Sequence, residues 1–265
     1  MPSNILPVTK DGKSAFDIAC SAVKNASKVL LDYYESSKKV KHKGRGNIVT
    51  QADTLSETTI IKIIASEFPD HLILSEETNA TTPVTGYTWI IDPLDGTNNY
   101  YFGIPHFCIN IALSKDRDIL LGITYDPLKD ELFTAVKGSG VELNGCPVHV
   151  TPVNTLGSAL IGFDLGYDDN QGKNMLDVVK KLHGNVHCIR MMGSAALGLA
   201  YVACGRISLY FHRSIYPWDI ASGILLITEA GGKVIGWQRD KIGLHSKMLI
   251  ASNNELCDQL IEQYI

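Results

Sequence analysis

Trp89-Ile-Ile-Asp92-Pro-Leu-Asp95-Gly96-Thr97 is the stretch on which the reading of this chain turns. Bulky apolar residues of strand character lead into two carboxylates, three residues apart around a proline. Pro93 locks the backbone, so both carboxylates can be held on one side of a turn. Gly96 and Thr97 follow at once, where the chain must turn tightly and a helix can begin. Hard divalent cations such as Mg²⁺ take oxygen ligands in octahedral geometry and share them with substrate phosphates. The backbone N–H groups of Gly96 and Thr97, at a helix start, make a phosphate seat. The bland alternative is an acidic strand-to-helix turn with Asp92 capping and Asp95 solvated, and this short motif alone does not separate the two.

Other acidic residues weigh against the bland alternative. Glu76-Glu77 closes an apolar strand, Asp53 stands at the mouth of a helix, and Asp219 starts a helix that ends in Glu229-Ala-Gly-Gly232. Carboxylates at the ends of several elements, each beside an apolar run, are poor core residues unless a cation pairs them.

Around these residues the hydrophobic period changes along the chain. Helical spacing predicts helices over 14–34 and 52–67, the second opened by the N-cap signal Thr50-Gln-Ala-Asp53. Between them, 38–47 is basic, aperiodic and Gly-punctuated, and reads as a loop whose Lys43 could sit on a flap over the phosphate. Short β-prone runs follow at 71–75, 88–91, 108–114, 120–125, 131–136 and 141–143. A helix pair followed by such a series suggests α+β, both helices packing on one face of a largely antiparallel sheet. Past Val150 the elements alternate: strands at 159–163, 207–211 and 248–251, helices at 174–182, 194–204, 219–230 and 254–264. The expected organisation is an N-terminal half, 1–149, with most of the acidic residues, and a C-terminal α/β half, 150–265, with Asp219.

Composition excludes several classes. Among 265 residues, 45% are hydrophobic and 20% charged, which rules out a disordered or collagen-like chain. The formal net charge of −4 offers no strong field for nucleic acid or an anionic membrane. Apolar runs such as 224–227 are far too short to span a bilayer, and Met1-Pro-Ser-Asn-Ile-Leu-Pro7 lacks a signal-peptide pattern. The expectation is a soluble, cytoplasmic protein. The six cysteines form no C-x-x-C pair and read as reduced thiols rather than a zinc site. His106, His149, His183, His187 and His245 lack ligand spacing.

The opening stretch, continued by Asn98-Asn-Tyr-Tyr-Phe-Gly-Ile-Pro-His-Phe107, resembles the first signature of the inositol monophosphatase family. Trp218-Asp-Ile-Ala-Ser-Gly223 with Glu229-Ala-Gly-Gly232 resembles the second. Asn47-Ile-Val-Thr-Gln-Ala-Asp53, Ser75-Glu-Glu77 and Val141-Glu-Leu-Asn-Gly145 match in the family's order, so the resemblance covers nearly the whole chain. It implies a layered αβαβα sandwich and a Mg²⁺-dependent, often Li⁺-sensitive phosphomonoesterase that forms a homodimer. By motif position, Glu76, Asp92, the Leu94 carbonyl, Asp95 and Asp219 would hold two or three Mg²⁺ ions. Glu76 and Thr97 would orient the attacking water, with Asp53 supporting that water or a further metal, and Glu77 supporting the site. Water activation by two metals needs no phosphoenzyme, and the chain has neither an Asp-x-Asp-x-Thr nucleophile motif nor a Walker loop. Trp89 and Trp218 would wall the site.

For the substrate's organic half, the resemblance assigns Gly193, Ser194 and Ala195 to the polyol side, with Asp95 and Asp219 accepting from its hydroxyls. Relatives that prefer inositol phosphates commonly carry a glutamate seven positions before the second-signature aspartate; here that position is His212, followed by Arg213. Such a pair could prefer a second phosphate or a carboxylate. Inositol 1-phosphate is the leading expectation, followed by fructose 1,6-bisphosphate, histidinol phosphate and phosphoadenosine phosphate. A catalytically inactive relative that binds metal or phosphate is the non-enzyme alternative.

Overall fold

The computed structural model describes residues 5–36, 39–44, 46–78 and 80–265. Helix α1 (Ala15–Tyr34) starts at a capping box in which Ser14 and Asp17 satisfy each other's backbone N–H groups. Strands β1 (Val40–Gly44) and β2 (Asn47–Thr50) form an antiparallel hairpin, and Thr50 and Asp53 make a second capping box for α2 (Gln51–Glu67). The expected loop at 38–47 is thus largely a strand. Its side chains are exposed on both faces, so no alternation marks it, and Lys38 and Arg45 lie outside the described residues.

Seven strands follow: β3 (Leu72–Ser75), β4 (Tyr87–Asp95), β5 (Cys108–Lys115), β6 (Asp118–Asp126), β7 (Glu131–Val136), β8 (Val141–Leu143) and β9 (Cys146–Pro147), with the short helix α3 (Thr97–Tyr101) after β4. They pair in sequence order, β3 parallel to β4 and the rest antiparallel. Alternation sorts their side chains. Trp89, Ile91, Ile109, Ile111, Leu121 and Ile123 face α1 and α2, whereas Ile90 and Ala112 face the other way, toward Trp218 and Ala221. This places Trp89 away from the site it was expected to wall; its indole N–H donates to His71 Nδ1 on the helix side.

After a single 3₁₀ turn (Leu156–Ser158) come β10 (Leu160–Phe163), α4 (Asp169–Leu182), β11 (Cys188–Met191), α5 (Ala195–Ala203), β12 (Leu209–His212), α6 (Pro217–Glu229), β13 (Lys233–Ile235), β14 (Leu249–Ser252) and α7 (Asn254–Tyr264). The strands form a second sheet in the order β11-β10-β12-β14-β13. Helices α5 and α6 fill the space between the sheets, against Phe133 and Ala135 of one and Tyr210, Leu249 and Ala251 of the other. Helices α4 and α7 cover the outer face of the second sheet on Ile161, Phe211 and Ile250. The result is the expected αβαβα sandwich. The strands β9, β11 and β13, of two to four residues, are too short to show a period, and the sequence reading lacks them.

The middle layer is held tightly. A Cβ on Gly122 of β6 would lie 2.9 Å from the Ser222 carbonyl oxygen of α6, a backbone atom that cannot swing aside. Gly122→Ala is therefore expected to destabilise the protein by about 1–3 kcal/mol in urea unfolding; an unchanged midpoint would show that α6 does not pack this closely on the sheet.

Candidate active site

Strand β4 keeps regular register with β5 as far as Asp92 opposite Asn110, but Asp95 then faces Cys108, so β4 holds one residue more than its partner. Such a bulge re-aims side chains at the end of a strand. Here it is tied from both sides: Ser56 of α2 donates to the Pro93 carbonyl at 2.8 Å, and the Leu94 N–H donates to Asp92 Oδ1 at 3.0 Å. Gly96 then turns the chain at φ +90°, where a Cβ would lie 3.1 Å from the carbonyl oxygens of both Gly193 and His106. Only glycine suits that conformation and that space.

Two helices of the middle layer complete the arrangement. At the start of α5, Ser194 Oγ and the Ala196 N–H, the latter at 2.9 Å, both donate to Asp95 Oδ2. At the start of α6, the Tyr216 N–H donates to Asp219 Oδ2 at 2.7 Å. Asn110 steadies this turn by donating to the Trp218 carbonyl at 2.6 Å, and Thr124 links Asn110 to Ser222. As a result Asp92, Asp95 and Asp219 each bring a ligand oxygen within 4.8 Å of the others.

Charge explains what such a cluster is suited to hold. Burial, and then the charges of Glu76, Asp95 and Asp219, push the Asp92 carboxyl well above its ordinary value. Burial and the neighbouring Asp95 and Glu76 do the same to Asp219. Lys43 pairs with Glu76 at 3.2 Å and Glu77 at 2.6 Å, but among the described residues no ion pair reaches the three aspartates. Carboxylates anchored this way, all oxygen donors and short of a countercharge, fit a hard divalent cation.

The site opens into a cavity of about 400 Å³. Of the residues expected from sequence, Glu76, Asp92, Leu94, Asp95, Gly96 and Thr97 line it on one side. Gly193, Ser194, Ala195, His212 and Asp219 line it on the other, and Trp218 contributes to the wall. Asp53 lies behind Thr97: Thr97 Oγ1 is 3.0 Å from Asp53 Oδ1 and 3.0 Å from the Leu94 oxygen. Burial lifts Asp53 to about 6 despite the hydrogen bonds from Thr50. Lys43 does not line the cavity but reaches Glu76 and Glu77 from the β1–β2 hairpin; burial would lower its pKa, and those carboxylates more than offset this. Arg213 is also outside the lining, its guanidinium lying 4.4 Å from the centre of the Trp237 ring. The cation expected beside His212 is therefore held elsewhere by an aromatic face. Glu229 is distant in role too, accepting from the N–H groups of Gly138 and Gly140 in the β7–β8 turn.

Two buried acids absent from the sequence reading shape the rim. Glu57 of α2 accepts from the Glu77 and Thr78 N–H groups at 3.1 and 3.2 Å and so holds the segment that carries Glu76. Asp164, just after β10, accepts from the Gly193 N–H at 2.5 Å and the Tyr210 hydroxyl at 2.8 Å, fixing the turn into α5. Neither stands in a recognisable motif. Glu57 falls on the same helical face as Asp53 and Ser56, the one cue that could have marked it.

The model of the inositol monophosphatase family matches residues 11–265. An inositol monophosphatase of Dictyostelium discoideum is 38% identical over 260 residues, covering 92% of this chain and 94% of that protein. Among solved structures, the extragenic suppressor protein suhB of Bartonella henselae superposes with a TM-score of 0.88 at 32% identity, over 93% of this chain and 96% of that one. An IMPase of Thermotoga maritima gives a TM-score of 0.86 at 31% identity, over 93% and 95%.

Asp164 offers a test of the rim. Burial, with the charge of Asp95 adding to it, raises its carboxyl from 3.8 to about 7 against the pull of its hydrogen bonds. The folded chain keeps this proton while the unfolded chain releases it, so the group's contribution to stability is whole below about pH 4 and lost as pH rises to about 7. Asp164→Asn should flatten the fall in unfolding free energy across that window by up to one proton's slope, ~1.4 kcal/mol per pH unit. Urea unfolding in EDTA measures it, and an unaltered slope would mean that Asp164 is ionised throughout.

Proposed function

The chain belongs to the inositol monophosphatase family and is a phosphoric monoester hydrolase, and we propose that its substrate is a small sugar or polyol phosphate, inositol 1-phosphate foremost. The observation that carries this reading is the trio Asp92, Asp95 and Asp219, anchored within 4.8 Å and facing a cavity. We assign the metal role to these three with Glu76 and the Leu94 carbonyl, and Mg²⁺, in two or three sites, as the cation. Bound divalent cations would acidify water and neutralise charge on the phosphoryl group.

The chain's own groups then do the rest. The Gly96 and Thr97 N–H groups, after a turn only glycine can make, seat the phosphate. Glu76 and Thr97 orient the attacking water. Thr97 Oγ1 has a single proton and two acceptors at 3.0 Å. When that proton points to Asp53 Oδ1, the hydroxyl oxygen is free to accept from water, and Asp53, at about 6, can exchange a proton near neutral pH. On the organic side, Gly193, Ser194 and Ala195 contact the polyol, and Asp219 accepts from its hydroxyls. Arg213 stacked on Trp237 leaves less support for a bisphosphate as the preferred substrate. The working protein in this proposal is a cytoplasmic homodimer.

Phosphate release from inositol 1-phosphate, fructose 1,6-bisphosphate, histidinol phosphate and phosphoadenosine phosphate tests the reading. Release should require Mg²⁺, stop with EDTA, run fastest on inositol 1-phosphate, and fall at least ~100-fold in Asp95→Asn. Turnover that survives EDTA, or Mg²⁺ binding without turnover on any ester, would overturn it.

A further inference from the structure

His212 is 4% exposed yet lines the cavity that the carboxylate cluster faces. It ends β12, between β10 and β14, two residues from Tyr210 and on the same face of the strand. The Ser214 backbone N–H donates to its Nδ1 at 3.0 Å. A ring nitrogen that accepts carries no proton, and in neutral imidazole the hydrogen then belongs to the other nitrogen. Burial pushes the ring's pKa down to about 3, so it is neutral at any working pH. The hydrogen therefore sits on Nε2. Among the described residues Nε2 has no acceptor, and it is not among the polar atoms sealed from solvent. Gly166 passes close to the ring, where a Cβ would lie 3.1 Å from Cε1.

A neutral donor fixed in its tautomer, on a side chain that lines the cavity and with no acceptor among the described residues, is available to a bound molecule. We infer that His212 is a specificity-determining residue that donates Nε2–H to a neutral acceptor atom on the organic half of the substrate: an ether, carbonyl or hydroxyl oxygen, or a ring nitrogen. The inference rests on the phosphatase reading and refines it. A carboxylate at this position can only accept, and so demands a hydroxyl proton from the substrate. His212 reverses that polarity and admits esters whose organic half has acceptors but no hydroxyl. Arg213, held on Trp237 and outside the cavity lining, supplies no cation there for a second phosphate.

Two esters separate the polarities: glycerol 2-phosphate, and its dimethyl ether, in which both hydroxyl protons are replaced but both oxygens remain acceptors. The measurement is kcat/KM for each with Mg²⁺, in the wild type, His212→Gln and His212→Glu. The glutamine variant keeps a neutral donor and should retain the wild-type preference between the esters to about twofold. His212→Glu should shift that preference about tenfold against the ether, through KM more than kcat. If the buried glutamate prevents folding, His212→Leu removes the donor without adding charge and should lower kcat/KM about tenfold on both esters, which glutamine would not. Turnover of both esters with a preference that His212→Glu does not move or, where that variant does not fold, with kcat/KM values that His212→Leu does not lower, overturns the inference alone. Release from neither ester by a wild type that hydrolyses inositol 1-phosphate overturns the inference alone, and release from none of the three overturns the phosphatase reading and the inference together.

Discussion

Three carboxylates brought within 4.8 Å repel one another, and most of what surrounds them in this molecule serves to hold them there. Each is restrained through a backbone N–H group: that of Leu94 for Asp92, Ala196 for Asp95 and Tyr216 for Asp219. Backbone donors suit this task because secondary structure already fixes them, so no side-chain entropy is lost in aiming them. Two of these restraints also set a carboxylate at the first turn of a helix, where the partial positive charge of the helix N-terminus offsets some of the repulsion. Burial first, and then the neighbouring carboxylates, still raise the carboxyls of Asp92 and Asp219 well above their ordinary value. A divalent cation held between the three would relieve the same repulsion that a proton relieves.

That constraint accounts for the layering. Asp92 and Asp95 lie at the end of β4 in the first sheet, whereas Asp219 and the donors to Asp95 come from α6 and α5. The distance between these groups is thus set by how closely the middle layer sits on the sheet. Gly122 against Ser222, and the buried polar chain Asn110–Thr124–Ser222, fix that approach. A buried polar chain adds little net stability, but each member left unpaired would be costly, so the register of α6 on the sheet has one satisfied solution.

The acidic side of the site was legible in sequence because its chemistry is local. Asp92, Pro93, Asp95, Gly96 and Thr97 are consecutive enough that one bulge and one positive-φ turn contain them. The two long N-terminal helices and the central strands were legible for the same reason, since each shows its period within its own span. What escaped was whatever depends on a partner far along the chain. Asp164 and Asn110 look like any acid or amide until Gly193 and Trp218 arrive beside them. Trp89 flanks Asp92 in sequence, but strand alternation sends it to the opposite face, so adjacency misled where parity would have corrected it. The β1 hairpin, with four of its five residues exposed, had no pattern to read.

His212 and Arg213 show the same limit at closer range. As neighbours in sequence they look like a basic pair, and a basic pair invites an anionic partner. In a strand, however, successive side chains leave on opposite sides. His212 turns into the cavity, where burial removes its charge and the Ser214 N–H settles which nitrogen bears hydrogen. Arg213 lies on the Trp237 ring, in contact with the outer core and not with the cavity. The pair therefore contributes no positive charge to the site. The cavity instead combines an acidic floor, which fits cations and through them a phosphate, with a neutral donor in the wall beside it. Strong charge on the metal side makes phosphate binding indifferent to what the phosphate is attached to. Discrimination between esters is left to uncharged groups such as His212, whose single hydrogen bond distinguishes partners by about tenfold rather than absolutely.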